Sequence, residues 1–574
     1  MQKIHRRVYM VGFISMCALF FLVVHIKTSQ VQSFFITALP EKPIENETAI
    51  PASKTIPVPA KVIPEVNKPP QEITKIALPE KPIENKTAIA ASKTIPVLAK
   101  VVAEVNKPPQ EITKIGNSPD FQSARGIGNL YFVHTALWTG DYVRITAIKP
   151  RGWPRDIFCF LWYSEDENST SITVKATVKD LQFYTEVTSV GYIKCSLSGG
   201  EKEKKPPLYV GLTNQNTTWF GPKIKLLVEN RDIDVDKISK MKSTAQNGHS
   251  GTGNGTGPEK NRVVEFTVCI PAMYNYGDAA QLVEKLEMVR LLGAGRVVLY
   301  ETSIGANVRS VLELYTREWS QGNETLEVVV HSWKLPKISM HYLGQLATVD
   351  DCLYRYGWLS HYMVFNDMDE IMIPLRHENW SQLIAEREKS NPGSPAFMFL
   401  CSIMNKDHSS PAEGFEADAF FYGSSILSYT QRDVYIFEYK NKGKLIVNPR
   451  KVQSLEVHHI YEANGTTDVI PEDQGLLYHY RWPLRPCDPE VQDNRVVNKF
   501  GQRLLARLKS VWSKLDGVPK GGKRPPLNPT RATCKKVLKI GGKKLAPNVN
   551  HVAKTHQFVK TLIHSIYPSL HENF

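Results

Sequence analysis

One stretch limits the fold more than any other. Between Arg262 and Glu370, short apolar runs alternate with segments of helical periodicity. VVEFTVCIPAM (263–273), RVVLYETS (296–303), LEVVVHSW (326–333) and WLSHYMVF (358–365) are rich in β-branched and aromatic residues and read as strands. Between them, 279–292, 307–320 and 341–357 read as helices. Asp278 is placed to cap the first helix, with Gln281 as capping-box partner, and Leu282, Leu286 and Val289 fall on one face. Strand and helix in this alternation imply an α/β domain with a mainly parallel sheet and helices on both faces. Ligands of such sheets sit beyond the carboxyl ends of the strands.

The fourth strand runs straight into an acidic loop, FNDMDEIMIP (365–374). In extended chain, residues two apart point to the same side, so Asp367 and Asp369 are expected to face one cation. Carboxylate oxygens suit Mg²⁺ or Mn²⁺, and either ion can hold a diphosphate. A solvated acidic turn is the bland reading, and the loop's place at a strand end favours the chemical one. Downstream, LLYHYRWP (476–483) offers His479, whose imidazole suits Mn²⁺, against the alternative of a core histidine. EVHHIYE (456–462) offers His458 and His459 on the same terms. PEDQG (471–475) offers Glu472 and Asp473, either a base for an acceptor hydroxyl or a turn pair.

At 574 residues the chain is too long for one core. Residues 1–7 carry Lys3, Arg6 and Arg7 and read as a cytoplasmic tail. Residues 8–26 are almost unbroken apolar sequence, long enough for a transmembrane helix with the rest of the chain on the luminal side. A cleaved signal peptide would have a shorter core and a small-residue cleavage site. Residues 27–116 contain a 39-residue repeat in two copies (38–76 and 77–115), dense in Pro, which reads as an extended stem rather than a solenoid. Residues 117–256 hold seven short β runs and read as an antiparallel, sandwich-like module. A Gly-rich link (248–258) leads into the α/β domain at 257–500.

Residues 501–574 are basic, with fifteen Lys and Arg against Asp516 and Glu572, so most of the formal net charge of +14 lies there. A solvated tail is the expected reading, with a patch for anionic glycans or lipid headgroups as the other. Eight Asn-x-Ser/Thr sequons support export. Seven cysteines beyond Cys17 would face an oxidising lumen, at least one of them unpaired, and no CxxC spacing points to zinc. A luminal chain is a poor match for nucleic acid.

The blocks VCIPAMY, KLEMVRLLGAGRVVLYE, HSWKLP, GQLATVDDCLYRY, FNDMDEIMIP, KLIVNPRKV with HHI, and HYRW occur in that order. Together they make residues 264–482 resemble glycosyltransferase family 92. The resemblance implies a GT-A-type α/β fold, a luminal Golgi domain on a single-pass type II membrane anchor, and divalent-metal-dependent, inverting transfer. It implies UDP-galactose as donor and a glycan as acceptor, with fucose on N-glycans as one such acceptor. Asp367 and Asp369 match the family's DxD, and His479 matches the histidine of its HYR, so the implied metal ligands are Asp367, Asp369 and His479. By fold analogy Tyr300 and Glu301, closing the second strand, would meet the nucleotide. An upstream aromatic-Asp-x-Arg block is kept loosely as LWTGDYVRI (137–145). Two other classes remain open: an inactive glycan-binding membrane protein that retains the fold, and an adhesion ectodomain on a stalk.

Overall fold

The computed structural model describes residues 120–520, except 151, 155, 167–170, 182–187, 198–204, 215–223, 233–261, 337–340, 408 and 484–488. The expected tail, membrane span, stem, Gly-rich link and most of the basic C-terminal region lie outside the described residues. Among those described, no helix is long and apolar enough to cross a membrane.

The first nine strands are β1 (Gln122–Ser123), β2 (Phe132–Trp138), β3 (Tyr142–Pro150), β4 (Phe158–Trp162), β5 (Ile172–Lys175), β6 (Thr177–Asp180), β7 (Thr188–Ser196), β8 (Tyr209–Thr213) and β9 (Lys225–Glu229). All seven β runs read from the sequence are present, one of them divided in two at Ala176. The sheet order is β5-β4-β8-β9-β2-β3-β7-β6, with β1 on β2. Every pairing is antiparallel except β2 with β9. In this order β4 and β7 are separated by four strands, yet a disulfide joins Cys159 to Cys195 with their Cα atoms 6.0 Å apart. The sheet therefore curls until its two halves face each other. Val143, Ile145, Leu161, Ile193, Val210 and Leu212 fill the space between, all fully buried.

The α/β part follows as β10 (Val264–Met273), α1 (Ala279–Leu291), β11 (Ala294–Glu301), α2 (Ala306–Ser320), β12 (Glu327–Ser332), α3 (Gln345–Tyr356), β13 (Ser360–Phe365), β14 (Glu370–Pro374) and α4 (Trp380–Ser390). After these come β15 (Ala396–Phe399), β16 (Cys401–Asn405), α5 (Glu416–Tyr422), α6 (Ser425–Ser428), β17 (Gln431–Ile436), β18 (Lys444–Val447), β19 (Val452–Leu455) and β20 (Ile460–Ala463). The last elements are β21 (Asp468–Val469), β22 (Gly475–Arg481), β23 (Glu490–Gln492) and α7 (Arg495–Ser513). The main sheet has the order β12-β11-β10-β13-β18-β15-β21, and β12, β11, β10 and β13 are mutually parallel. A second sheet, β14-β22-β16-β17-β23, begins where the acidic loop ends.

Strand alternation sorts β10 between two cores. Phe266, Val268 and Ile270 pack with α1, α2, α4 and α7, whereas Cys269 faces the other layer with α3. α1 begins as expected: Asp278 accepts a hydrogen bond from the Gln281 N–H at 2.9 Å. Only half of the capping box forms, because the Gln281 amide oxygen accepts instead from the Tyr276 hydroxyl at 3.1 Å. The helix expected over 341–357 is interrupted. Tyr342, Leu343 and Gly344 all have positive φ (41°, 54° and 70°), so α3 starts afresh at Gln345. α7 crosses the division drawn between residues 500 and 501. Its Phe500, Leu504, Leu505 and Leu508 join the α/β core, so the basic region begins inside a core helix.

α3 fastens the two parts together. Cys352 is bonded to Cys269 of β10. Asp351, with no exposed surface, accepts from Thr135 Oγ1 (2.5 Å), Tyr300 OH (2.8 Å) and the Arg355 guanidinium (2.9 and 3.0 Å). Arg355 also pairs with Glu229 of β9. Next to it, Asp350 accepts from Arg144 of β3 at 2.5 and 3.2 Å, and the Arg144 guanidinium lies over the rings of Tyr192 and Tyr354. Removing one partner of a buried, paired charge leaves the other uncompensated. Asp351→Asn should therefore cost on the order of 3–5 kcal/mol in urea unfolding at pH 7. Burial alone would raise this carboxyl, but Arg355 outweighs it and holds the group well below its usual value. Its contribution is thus complete above the unfolded value of about 4 and is lost as pH falls below it. The difference between wild type and variant should shrink as the unfolding series is taken below that pH.

Candidate functional site

The acidic loop leaves the main sheet at the carboxyl end of β13, beside the ends of β10 and β11. It is a turn, not extended chain. The Glu370 N–H donates to the Asp367 carbonyl at 3.3 Å, and the Asp367 N–H donates to Glu370 Oε2 at 2.9 Å. Asp367 and Asp369 consequently take different partners rather than facing one point. Asp367 accepts from Lys444 Nζ at 3.0 Å through Oδ2 and from the Gln345 amide at 3.1 Å through Oδ1. Asp369 Oδ2 lies 3.2 Å from His479 Nε2. Antiparallel pairing of β14 with β22 makes this contact by setting Glu370 opposite His479, and the Tyr480 N–H donates to the Asp369 carbonyl at 2.9 Å.

Beneath the turn lie three buried charged side chains: Glu370, Lys285 and Lys444. Lys285 donates to the carbonyls of Asp367 and Glu370 at 2.9 and 2.5 Å, which pins the turn from below. Burial pushes its ammonium well below the usual lysine range, against the pull of Glu370, Asp367 and Asp369. For Lys444 burial also opposes the charge, but Asp367 and Glu370 prevail and hold it above the usual range. Burial raises the Glu370 carboxyl, with Lys444 opposing. At Asp369 burial would likewise raise the carboxyl, but the hydrogen bond and charge of His479 hold it down at about 2. A recess beside Asp369 is lined by Gln281, Glu284, Lys285, Met368, Ser425 and Tyr480. Glu284 caps α6 through the N–H groups of Ser425 and Ile426 (both 3.0 Å), and burial lifts it to about 6.

Asp369 and His479 are both hard-to-borderline donors suited to a divalent ion. Among the described residues no three or more His, Cys, Asp or Glu are grouped to enclose a metal. Two protein donors at an open strand end fit the kind of ion that takes its remaining ligands from phosphate and water. Asp367 departs from the expected set, because its two oxygens are already engaged by Lys444 and Gln345.

Other expected residues lie elsewhere. Glu472 and Asp473 sit in the turn that opens β22, exposed, with Asp473 paired to Arg376. Six residues of extended strand, roughly 20 Å, separate Asp473 from His479. Neither carboxylate is placed to act as a base at the acidic turn. Tyr300 is fully buried, edge-on to Trp333 and bonded to Asp351, so it belongs to the core and not to a nucleotide surface. Glu301 is half-buried at the strand end and paired with Arg309 at 2.7 Å. His459 pairs with Glu456 at 2.6 Å. His458 is nearer the turn. Its Nδ1 meets the Gly443 carbonyl at 2.9 Å, and burial, aided by Lys444, lowers it to about 4. The reading from sequence missed Lys285, Lys444 and Gln345. The lysine that opens the apolar run KLIV at 444–447 is the one visible signal of a buried charge.

In mainly parallel α/β sheets ligands sit beyond the carboxyl ends of the strands, which is where the Asp369–His479 pair lies. The model of glycosyltransferase family 92 matches residues 264–510. The chain is 29% identical over 266 residues to Beta-1,4-galactosyltransferase galt-1 of Caenorhabditis elegans, covering 44% of this chain and 56% of that one. It is 26% identical over 169 residues to Galactan beta-1,4-galactosyltransferase GALS2 of Arabidopsis thaliana, covering 29% and 31%. The chain thus spans about half, or less, of the length of these curated relatives. A solved structure of the galactosyltransferase LgtC with donor and acceptor sugar analogs matches at 12% identity, over 45% of this chain and 98% of that one, with a TM-score of 0.21. A score so low carries no weight for fold or function.

The placement of Tyr300 is open to test. Tyr300→Phe should lose about 1–2 kcal/mol of stability, because Asp351 loses a buried donor. Nucleotide binding by the variant, measured by calorimetry with UDP, should stay within about twofold of wild type, which is near 0.4 kcal/mol.

Proposed function

We propose that this chain is a divalent-metal-dependent, inverting glycosyltransferase that moves a hexose, galactose from UDP-galactose, onto a glycan acceptor. The observation that carries the reading is the Asp369–His479 pair, 3.2 Å apart at the carboxyl edge of the parallel sheet, with His479 buried and Asp369 partly exposed. The family 92 match and the galactosyltransferase names of the relatives support the choice of reaction and sugar. Inversion and fucose on N-glycans as an acceptor rest on the family resemblance alone.

In this reading Asp369 and His479 supply one carboxylate oxygen and one imidazole nitrogen to Mn²⁺ or Mg²⁺. When bound, the ion supplies Lewis-acid neutralisation of the departing nucleotide diphosphate. Lys285 holds the backbone of the turn so that the pair need not reorganise during turnover. Lys444 and Gln345 fix Asp367 beside it. The acceptor's base is a residue other than Glu472 or Asp473.

The cellular setting proposed is the Golgi membrane, in single-pass type II orientation with the domain in the lumen. The apolar run at 8–26, the sequons and the two disulfides support an exported, oxidising environment. Intact Asp367, Asp369 and His479 weigh against an inactive glycan-binding descendant.

The test is release of UDP by the full-length chain from UDP-galactose, UDP-glucose and the UDP-N-acetylhexosamines, with Mn²⁺ and then with chelator. Chelator-sensitive turnover of UDP-galactose is the expected result, and no turnover of any donor by the folded chain would contradict the reading. Asp369→Ala should abolish that turnover, at least 10³-fold or about 4 kcal/mol, with an unchanged thermal unfolding curve. Full activity in this variant would remove the metal role.

A further inference from the structure

His479 has a second nitrogen, and its surroundings point to a role for a residue that neither the family match nor the relatives assign. The Nδ1 atom is buried and has no well-directed hydrogen-bond partner. Glu370 Oε1 lies 3.3 Å from it, on the strand paired with that of His479. The Glu370 side chain is itself almost wholly enclosed, and its other oxygen is held by the Asp367 N–H at 2.9 Å and faces Lys444 Nζ at 3.4 Å. That carboxylate is therefore held by two neighbours, the Asp367 N–H and Lys444, before any ligand arrives. An imidazole that gives Nε2 to a metal must carry its proton on Nδ1, and that proton needs an acceptor. Metal-bound histidines commonly donate it to a carboxylate, which sets ring orientation and tautomer.

We infer that Glu370 is the positioning residue for His479: Oε1 accepts the Nδ1 proton and so presents the Nε2 lone pair beside Asp369 for a divalent ion. The inference rests on the metal reading above and deepens it. A purely structural alternative exists, in which Glu370 serves only as counter-ion to Lys444. The two differ in whether the effect of Glu370 runs through the imidazole.

A double-mutant cycle separates them. Mn²⁺ affinity of the full-length chain is measured from the free-ion electron paramagnetic resonance signal for wild type, Glu370→Gln, His479→Ala and the double variant. Glu370→Gln should weaken Mn²⁺ binding about 10–100-fold, and in the His479→Ala background the same change should have less than about a threefold effect. If Glu370→Gln unfolds by stranding Lys444, the pair Glu370→Gln with Lys444→Met removes both buried charges. Measured against Lys444→Met, it should show the same loss. Wild-type chain that binds no Mn²⁺ would overturn the metal reading and this inference with it. Wild type that binds Mn²⁺, with affinity unchanged by Glu370→Gln or lowered equally with and without His479, would overturn the inference alone.

Discussion

The structure depends on one buried feature, the aspartate pair of α3. Asp350 and Asp351 are enclosed between the β-rich module and the parallel sheet, and each is satisfied by groups from the strand side: Arg144 and Thr146 for the first, Thr135 and Tyr300 for the second. Two adjacent buried carboxylates are costly unless fully paired. The β-rich module supplies much of that pairing. It therefore acts as part of the α/β fold's own packing and covers the face of the sheet that α3 alone leaves open. The Cys269–Cys352 bond fixes the same helix to the central strand β10.

That anchorage reaches the site. Gln345, the first residue of α3, donates to Asp367, and β10 lies beside β13, which delivers the acidic turn. Lys285 from α1 and Lys444 from β18 complete a cradle around a turn of high negative charge. Preorganised charges of this kind need not rearrange when a ligand's charge develops. Asp369 stands partly exposed above the buried side chains of Lys285, Lys444 and Glu370.

Much of this was legible in the sequence, and the failures have physical causes. The strand–helix order from β10 to β13, the Asp278 cap and the seven β runs follow from local periodicity and capping chemistry, which need no tertiary information. The pairing of Asp369 with His479 spans 110 residues; residue chemistry made His479 a candidate among several histidines, and only the family resemblance singled it out. Asp367 was expected to share a cation with Asp369 because extended geometry was assumed, whereas the chain turns there. Tyr300 ends a strand and looked available, but α3 and Trp333 cover it. Glu472 and Asp473 are close to His479 in sequence yet sit at the other end of a fully extended strand. The helix expected over 341–357 fails at Tyr342 and Leu343, residues with no sequence mark of positive φ. The spacing of Val496, Val497, Phe500, Leu504, Leu508 and Val511 is helical and apolar, and it could have extended the domain past residue 500.

The account turns on whether His479 and Asp369 hold a divalent ion at the end of the parallel sheet. The most direct measurement is electron spin-echo modulation of Mn²⁺ bound to the full-length chain with UDP. One histidine nitrogen coupling is predicted in the wild type, absent in His479→Gln. A coupling that persists unchanged in that variant, or bound Mn²⁺ with no nitrogen coupling at all, would contradict it.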